Sequence, residues 1–275
     1  MKGTLYIVST PIGNLEDITL RALRVLKEVD IIAAEDTRHS LKLLSHYGIS
    51  KPMISYWGER EKIKSVEVIE RLHSGQSVAI ISDAGTPGIS DPGAVLIKKA
   101  VEENIQVVSI PGPSALIAAL SLSGLPTEEF IFRGFLPPKK SQRQKVLKEL
   151  SLEPRTLIFY EAPHRILETL TDMEKIFVGR KAALAKEITK IHEEVLRGSI
   201  SEILSKLEKT AIAGEYVIIV EGKRDGEKTA SSDILLEISS LMKKGVGRKE
   251  AVKKIAEAYG LSKKELYNKS LHETP

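Results

Sequence analysis

Short apolar runs alternate with amphipathic stretches along residues 1–133, and this alternation strongly limits the folds that the chain can adopt. The runs are rich in Ile and Val and lack the in-and-out alternation of half-exposed strands, as is typical of buried parallel strands. They occupy residues 5–9, 30–34, 53–56, 78–82, 107–110 and 130–132. Helical spacing of apolar residues between the runs predicts a mostly parallel sheet with helices on both faces.

A second unit of the same kind follows residues 136–141, where two prolines beside a basic pair indicate a linker. Its predicted strands are 156–160, 182–185, 193–197 and 216–220, and its predicted helices are 164–176 and 200–207. A polar second linker, 222–229, precedes three short helical patterns at 232–243, 249–259 and 262–270. Their spacing is similar to that of a small helix-turn-helix unit. We therefore predict an α/β fold with domains 1–135 and 136–224 and a helical unit at 231–275.

Composition removes several classes of protein. The chain has no cysteine, which excludes disulfides, zinc–thiolate sites and cysteine nucleophiles. It shows neither a signal-peptide pattern nor an apolar run near 18 residues, so we expect a cytoplasmic protein without a membrane partner. Residues 231–275 contain nine Lys or Arg and six Asp or Glu, which is +3 of the total net charge of +4. This excess suits a nucleic-acid contact and a solvated helical surface equally well.

Four predicted strand ends carry glycine, proline and charged residues in clusters: 9–15, 34–39, 82–93 and 111–115. Ligands of open parallel sheets bind outside the carboxyl ends of the strands. Glycine lets a ligand approach the backbone and proline fixes the shape of a loop. Because all four clusters fall at one edge of the predicted sheet, we expect one small-ligand site there.

Several common ligand motifs are absent. The sequence has no dinucleotide G-x-G-x-x-G after its first strand, no P-loop, no H-E-x-x-H zinc motif and no G-x-S-x-G hydrolase elbow. The strand ends instead offer backbone groups, hydroxyls and a few carboxylates. Such a set suits a ligand with a cationic centre, an amino-acid end and an adenine.

Longer motifs carry a resemblance to a known family. They are TPIGNLED (10–17), AEDTR (34–38), ISDAGTPGISDPG (81–93), PGPSA (111–115), FYEAPHR (159–165), AKEITK (185–190) and GEYV (214–217). In this order they resemble the class III methyltransferases of the tetrapyrrole-methylase superfamily. Within that superfamily, the chain is most similar to the branch that methylates the ribose 2′-hydroxyl of a decoding-centre cytidine in 16S ribosomal RNA. The similarity covers essentially the whole chain.

The resemblance implies two α/β domains of the tetrapyrrole-methylase type with an interdomain cleft, followed by the small C-terminal helical unit. It also implies S-adenosyl-L-methionine as methyl donor, no metal, a homodimer, and 16S ribosomal RNA or the small ribosomal subunit as partner. The implied donor-binding residues are Pro11, Gly13, Asp83, Ala84, Gly85, Thr86, Pro87, Ser90, Ser114, Ala115, Phe159, Tyr160, Lys186 and Gly214. Related methylases have Gly-Asp-Pro in the fourth-strand loop, whereas Ala84 follows Asp83 here, so the individual contacts of that loop stay open.

A ribose hydroxyl is a weak nucleophile, so a positioned base would help the transfer. Asp36 is the first candidate, with Arg38 beside it, and Glu187 is the second. The alternative for Asp36 and Arg38 is an ion pair that holds their loop, or a contact between the two domains. Basic residues near the linker, the seventh strand end and the C-terminus are candidates for RNA phosphate contact or, alternatively, solvated surface charges. They are Lys139, Lys140, Arg143, His164, Arg165, Lys249 and Lys253.

Two other functions remain open from the sequence. A methyltransferase acting on a tetrapyrrole would share the loops, and a non-catalytic RNA-binding module could retain them. The basic terminal unit disfavours the first and the intact loops disfavour the second.

Overall fold

A computed structural model describes residues 1–58, 61–223, 231–243, 245–259 and 262–271. The chain forms two compact units. The first unit comprises Met1–Gly124, Ala185–Val195 and Gly214–Val217, and the second comprises Leu125–Leu184, Leu196–Ala213 and Ile218–Pro275. The domain limits predicted from the sequence, 1–135, 136–224 and 231–275, remain a prediction.

The first unit contains a five-stranded sheet in which every neighbouring pair is parallel, as predicted. Its strands follow the order β3-β2-β4-β1-β5. They are β1 (Thr4–Val8), β2 (Ile31–Ala34), β3 (Met53–Ser55), β4 (Val78–Ile81) and β5 (Gln106–Ile110). Since all five run in one direction, their carboxyl ends, and the loops that follow them, meet at one edge.

Helices cover both faces of this sheet. They are α1 (Leu20–Glu28), α2 (Thr37–His46), α3 (Glu61–His73), α4 (Ala94–Glu102) and α5 (Ala115–Ser123). Alternate strand residues point to opposite faces. Val8 and Ile32 therefore pack in one apolar cluster with α1 and α2, while Leu5 and Ile31 pack in a second cluster with α3 and α4.

A short 3₁₀ helix precedes the first α-helix. Asn14 caps only a short 3₁₀ helix, Leu15–Asp17, by accepting a hydrogen bond from the Glu16 amide. Thr19 then caps α1 by accepting from the Ala22 amide at 3.1 Å. Two good N-cap residues thus divide a segment that looks continuous in its apolar spacing.

The second sheet also has five strands, in the order β6-β7-β10-β8-β9. They are β6 (Phe130–Phe135), β7 (Thr156–Glu161), β8 (Lys181–Lys186), β9 (Glu194–Ser199) and β10 (Tyr216–Val220). The strand β6 was predicted as the last strand of the first domain, but it pairs with β7 in parallel. Strand pairing is a tertiary property, and the sequence of 130–135 does not reveal which sheet it joins.

The second unit contains six α-helices among the residues that the structure describes: α6 (Lys140–Glu149), α7 (Ile166–Ile176), α8 (Ile200–Leu207), α9 (Ser231–Lys243), α10 (Arg248–Tyr259) and α11 (Lys263–Leu271). A 3₁₀ turn, Pro163–Arg165, precedes α7. Helix α6 corrects the first linker prediction, because the chain turns helical directly after Pro138 and Lys139.

The three C-terminal helices are confirmed and share a small apolar core that includes Leu235, Ile238, Val252 and Leu266. Residues 224–229 of the second predicted linker, and residues 260 and 261 of the predicted turn, lie outside the described residues. Over the described ranges, no helix is both long and apolar enough to span a bilayer.

Candidate functional site

The loops after β1 and β4 are locked together at the carboxyl edge of the first sheet. The Thr10 amide donates to the Gly85 carbonyl at 2.9 Å, and the Gly85 amide donates to the Thr10 carbonyl at 3.1 Å. The Thr10 hydroxyl donates to the Ser82 carbonyl at 3.0 Å, and the Ser9 and Thr86 hydroxyls are 2.8 Å apart. The two strand ends that the sequence singled out therefore form one structure.

Glycine is required at two positions of this edge. Gly85 has φ +82°, a backbone conformation that side-chain-bearing residues rarely adopt. Gly112, in the loop after β5, lies against Ser9, and an added Cβ would be 2.8 Å from the Ser9 Cβ. The loop after β5 thus packs closely against the loop after β1, which is itself bonded to the loop after β4, so the three loops form one structure.

Carboxylate groups connect the loop after β2 to the loop after β4. The Asp36 amide donates to the Asp83 carboxylate at 3.1 Å, and the Asp83 amide donates to the Glu35 carboxylate at 3.2 Å. Asp91 lies in the same group, because its carboxyl is close enough to Glu35, Asp83 and the Ser82 side chain for all three to affect its pKa. Three half-buried carboxyl groups, those of Glu35, Asp83 and Asp91, therefore cluster beside the locked loops.

Burial shapes the protonation of this cluster. It raises the pKa of Glu35 above its usual value, and it is the main cause that raises the pKa of Asp91 to about 6, with the charge of Glu35 adding to it. The sequence assigned Asp83 to the site but overlooked Asp91 and gave Glu35 no role. The signal that could have found Asp91 is the Ser-Asp-Pro-Gly end of the long β4 loop.

Asp36 and Arg38 occupy the start of α2. The Asp36 carboxylate accepts from the Arg38 amide at 2.8 Å and so caps the helix, and this bond is the main cause of the lowered pKa of Asp36. The Arg38 side chain is 92% exposed, and its Nε is 3.7 Å from the Asp36 carboxylate. The structure thus contains the loop-holding ion pair that was the alternative interpretation, and the role of Asp36 as base stays a prediction.

Glu187, the second candidate base, is held by its neighbours. Its carboxylate accepts from the Lys190 ammonium at 2.8 Å and from the Glu215 amide at 3.0 Å. The bond from Lys190 is the main cause of its lowered pKa. A carboxylate engaged in this way is a weak proton acceptor, so the geometry favours a structural role for Glu187.

Lys190 is a residue that the sequence analysis missed. A Cβ at Gly13 would overlap the Lys190 side chain, and a Cβ at Gly214 would overlap the Glu187 carboxylate. The Thr189 hydroxyl also donates to the Asp17 carboxylate. Gly13 and Gly214, which were predicted as donor contacts, thus leave space for the Lys190 and Glu187 side chains. Residues 187–190 are in this way held against the loop after β1. Gly13 and Lys190 are 177 residues apart in the sequence, so only the fold shows that they lie side by side.

The other predicted donor contacts of the first unit lie on the same loops or at strand ends. Ser114 precedes α5 and Ala115 begins it, and both are half-buried. Lys186 ends β8 and is half-buried. Pro11 and Pro87 are buried, Thr86 is half-buried, and Ala84 and Ser90 are exposed. Binding of a donor by these residues stays a prediction.

Two predicted contacts lie on β7 in the second unit. Phe159 is fully buried in the core, so the expectation that its side chain contacts a ligand is wrong. Tyr160, which follows it, faces the other side of the sheet and is half-buried. Its ring packs edge-on against Phe132 and Phe135, with ring centroids at 4.9 and 5.6 Å.

Two of the predicted RNA contacts are internal. Arg143 is buried, and its Nε donates to the buried Asp172 carboxylate at 2.8 Å, so its assignment to RNA is wrong. Arg165 is largely buried and donates to the buried Glu161 carboxylate at 3.0 Å and to the Leu136 carbonyl at 3.3 Å. Their carboxylate partners neutralise the charges that the sequence assigned to phosphate. The remaining candidates, Lys139, Lys140, His164, Lys249 and Lys253, are exposed.

Residues 4–204 match the family model described as Tetrapyrrole (Corrin/Porphyrin) Methylases. The chain is 46% identical over 273 residues to the ribosomal RNA small subunit methyltransferase I of a Synechocystis species, with 98% of both chains covered. It is also 46% identical over 274 residues to the protein of that name from Pseudomonas aeruginosa, with 98% of this chain and 97% of that one covered.

Solved structures show the same fold at low sequence identity. Cobalt precorrin-4 methyltransferase superposes with a TM-score of 0.59 at 14% identity, covering 79% of this chain and 94% of that one. The uroporphyrin-III C-methyl transferase of Thermus thermophilus, complexed with S-adenyl homocysteine, superposes with a TM-score of 0.55 at 17% identity, covering 80% and 97%. These likenesses establish the two-sheet α/β architecture.

Proposed function

Because the chain belongs to the tetrapyrrole (corrin/porphyrin) methylase family, we propose that it is an S-adenosylmethionine-dependent methyltransferase whose donor binds at the carboxyl edge of the first sheet. The observation that carries the proposal is the cluster of Glu35, Asp83 and Asp91 beside the locked, glycine-containing loops. The donor has a sulfonium and an ammonium, and carboxylates complement both. When bound, it supplies an electrophilic methyl group.

The residues of the edge fit such a donor in two respects. Gly85 allows the turn that bonds the β4 loop to the β1 loop, and Gly112 allows the β5 loop to pack on Ser9, so three loops together can form one wall for a ligand. The carboxylates and hydroxyls of the loops supply acceptors for its cationic groups. The work of the protein is to align donor and acceptor and to exclude water.

For the acceptor, we propose small-subunit ribosomal RNA, either as free 16S RNA or in the assembled small subunit, which would place the protein in the cytoplasm. The relatives named for this substrate are 46% identical over 98% of the chain, so the match includes the helices α9–α11 beyond the family model. The tetrapyrrole-acting neighbours are 14–17% identical and support the fold alone. More specifically, we propose transfer to the ribose 2′-hydroxyl of a decoding-centre cytidine by a homodimer.

The test of this function is an incubation of the full chain with methyl-labelled S-adenosylmethionine and one of three acceptors. These are deproteinised 16S RNA, assembled small subunits and a tetrapyrrole precursor. We expect label in the RNA or the subunit. Label in the tetrapyrrole would overturn the proposed substrate, and RNA binding without any transfer would favour a non-catalytic module.

Substitution at the start of α2 tests the catalytic base. Asp36→Asn retains an oxygen for the Arg38 amide and so preserves the helix cap. If Asp36 accepts the hydroxyl proton, kcat falls about 100-fold, within the usual contribution of a general base, while the Kd for S-adenosylmethionine stays within about twofold. Glu35→Gln is the companion variant, because it removes the neighbouring charge and retains an acceptor for the Asp83 amide. An unchanged kcat for Asp36→Asn, with a large loss in Glu35→Gln, would transfer the role to Glu35, whose pKa is raised.

The carboxyl cluster predicts a pH dependence of donor binding. Because the pKa of Asp91 is about 6, this group is ionised above pH 7 and takes up a proton as the pH falls through 6. The cluster then loses negative charge, and we expect the Kd for S-adenosylmethionine to rise about fivefold, or about 1 kcal/mol, between pH 7.5 and 5.5.

Calorimetric titrations of two ligands check this expectation. S-adenosylhomocysteine has no sulfonium charge, so its Kd should change less over the same range. Asp91→Asn should flatten the pH dependence for S-adenosylmethionine. Identical pH profiles for the two ligands, or an unaltered profile in the variant, would contradict the placement of the sulfonium beside these carboxyls.

A further inference from the structure

Helices α10 and α11 border a basic groove in the second unit. Its cavity volume is about 310 Å³, and its walls carry Lys249 and Lys253 from α10 and Lys263, Lys264, Tyr267 and Asn268 from α11. All four lysines are exposed. We call this the α10–α11 groove.

Helical spacing explains why these residues share one groove. Lys249 and Lys253 are four residues apart on α10, and Lys264 and Asn268 are four apart on α11, so each pair lies on one side of its helix. Val252 and Leu266, on the same helices, are buried in the core shared with α9. Burial of that apolar side fixes the orientation of both helices and therefore presents the lysines together.

The charge of this region is unbalanced. Residues 248–259 and 263–271 contain seven Lys or Arg and three Asp or Glu, and the excess of four equals the net charge of the whole chain. Among the lining side chains that the structure describes, none is acidic. Lys263 pairs with Glu257 at 2.8 Å, but both side chains are more than half exposed, and such pairs exchange readily for another anion.

We propose that the α10–α11 groove binds the phosphodiester backbone of the substrate RNA, an inference that rests on the proposed function. Four ammonium groups around one open groove repel one another and attract closely spaced negative charges, which a nucleic-acid backbone supplies. The Tyr267 hydroxyl and the Asn268 amide add hydrogen-bonding groups for phosphate or ribose oxygens. The groove docks the RNA without taking part in methyl transfer.

The test compares three variants of the full chain in binding deproteinised 16S RNA over a range of salt concentrations. In the first, Lys249, Lys253, Lys263 and Lys264 are each replaced by Gln. In the second, the same four are replaced by Arg, which keeps the charges. In the third, the matched control, four exposed lysines that do not line the groove are replaced by Gln: Lys27, Lys98, Lys148 and Lys209.

We expect the groove-to-Gln variant to bind the RNA at least about tenfold more weakly at 0.15 M salt. The slope of log K against log salt should fall by about three, since each single-strand phosphate contact contributes about 0.7. The Arg variant should bind like the unmodified chain, and the control should retain most of the slope. Calorimetry with S-adenosylmethionine should give the same Kd for all three, which also shows that they fold.

Equal RNA binding by the groove-to-Gln variant and the control would overturn the groove while leaving the proposed function intact. Loss of binding in the Arg variant as well would also overturn it, because the effect would then not follow charge. Failure of the unmodified chain to bind or methylate the RNA would instead contradict the proposed function itself. The two failures are therefore distinguishable.

Discussion

Asp83→Ala is expected to weaken the binding of S-adenosylmethionine about 100-fold, which corresponds to about 3 kcal/mol. Asp83 links two of the strand-end loops, since its carboxylate accepts the Asp36 amide and its own amide donates to Glu35. It is also the member of the carboxyl cluster that directly follows β4 through Ser82. Truncation removes a proposed ligand for a cationic donor and leaves the Asp36 amide without its acceptor.

Asp83→Asn separates these two effects. Asparagine keeps a carbonyl oxygen for the Asp36 amide and removes only the charge. If the charge binds the donor, Asp83→Asn loses nearly as much affinity as Asp83→Ala. If the loop linkage matters instead, Asn restores most of it. Titration calorimetry measures both, with circular dichroism as a check on folding, and affinities within about threefold of the unmodified chain for both variants would contradict the proposed site.

Arg143→Met is expected to lower the free energy of unfolding by about 3–5 kcal/mol. The Arg143 and Asp172 side chains are 1% and 2% exposed, and their ion pair at 2.8 Å joins α6 to α7. Methionine fills similar space but leaves the Asp172 carboxylate buried and without its cation. Gln144, which donates to the same carboxylate at 2.7 Å, cannot neutralise the charge.

The double substitution Arg143→Met with Asp172→Leu is the control for this prediction. It removes both charges together, and replacement of a buried ion pair by apolar residues is often close to neutral. We therefore expect it to recover most of the loss seen in Arg143→Met. Urea denaturation followed by circular dichroism gives the comparison. Equal stability of Arg143→Met and the unmodified chain would show that the pair does not hold α6 against α7.

The sequence predicts the strands of the first sheet well because buried parallel strands carry a local signal. The run predicted at 5–9 becomes Thr4–Val8, and the run at 78–82 becomes Val78–Ile81. Ile and Val suit a strand covered on both faces, and the covering helices are visible in the same local spacing. The placement of the ligand loops at one edge follows directly, because the carboxyl ends of parallel strands coincide.

The errors concern features that depend on distant contacts. Arg143 looks like a surface base beside a linker, and only the fold shows Asp172, 29 residues further along the chain, buried against it. Phe159 belongs to a ligand-like motif, yet the alternation of a strand turns its side chain into the core. Lys190 is recognised as part of the site only in the fold, where its side chain packs directly against Gly13.

The carboxyl cluster falls between these two cases. Glu35 immediately follows β2 and Asp83 is two residues past the end of β4, so both could be placed at the edge from sequence. Asp91 comes ten residues after the end of β4, so its position near Ser82 depends on the path of the whole loop. Its burial, and with it a pKa of about 6, is likewise a property of the folded loop.

The position of the transferred methyl group tests the central claim most directly. RNA labelled by the full chain is hydrolysed in alkali, which cleaves through the ribose 2′-hydroxyl and therefore stops at a 2′-O-methylated nucleotide. We predict that the label is retained in an alkali-resistant dinucleotide whose 5′ residue is a cytidine of the decoding centre, and that Asp83→Ala yields almost none. Label released in a mononucleotide would place the methyl group on a base and contradict ribose methylation.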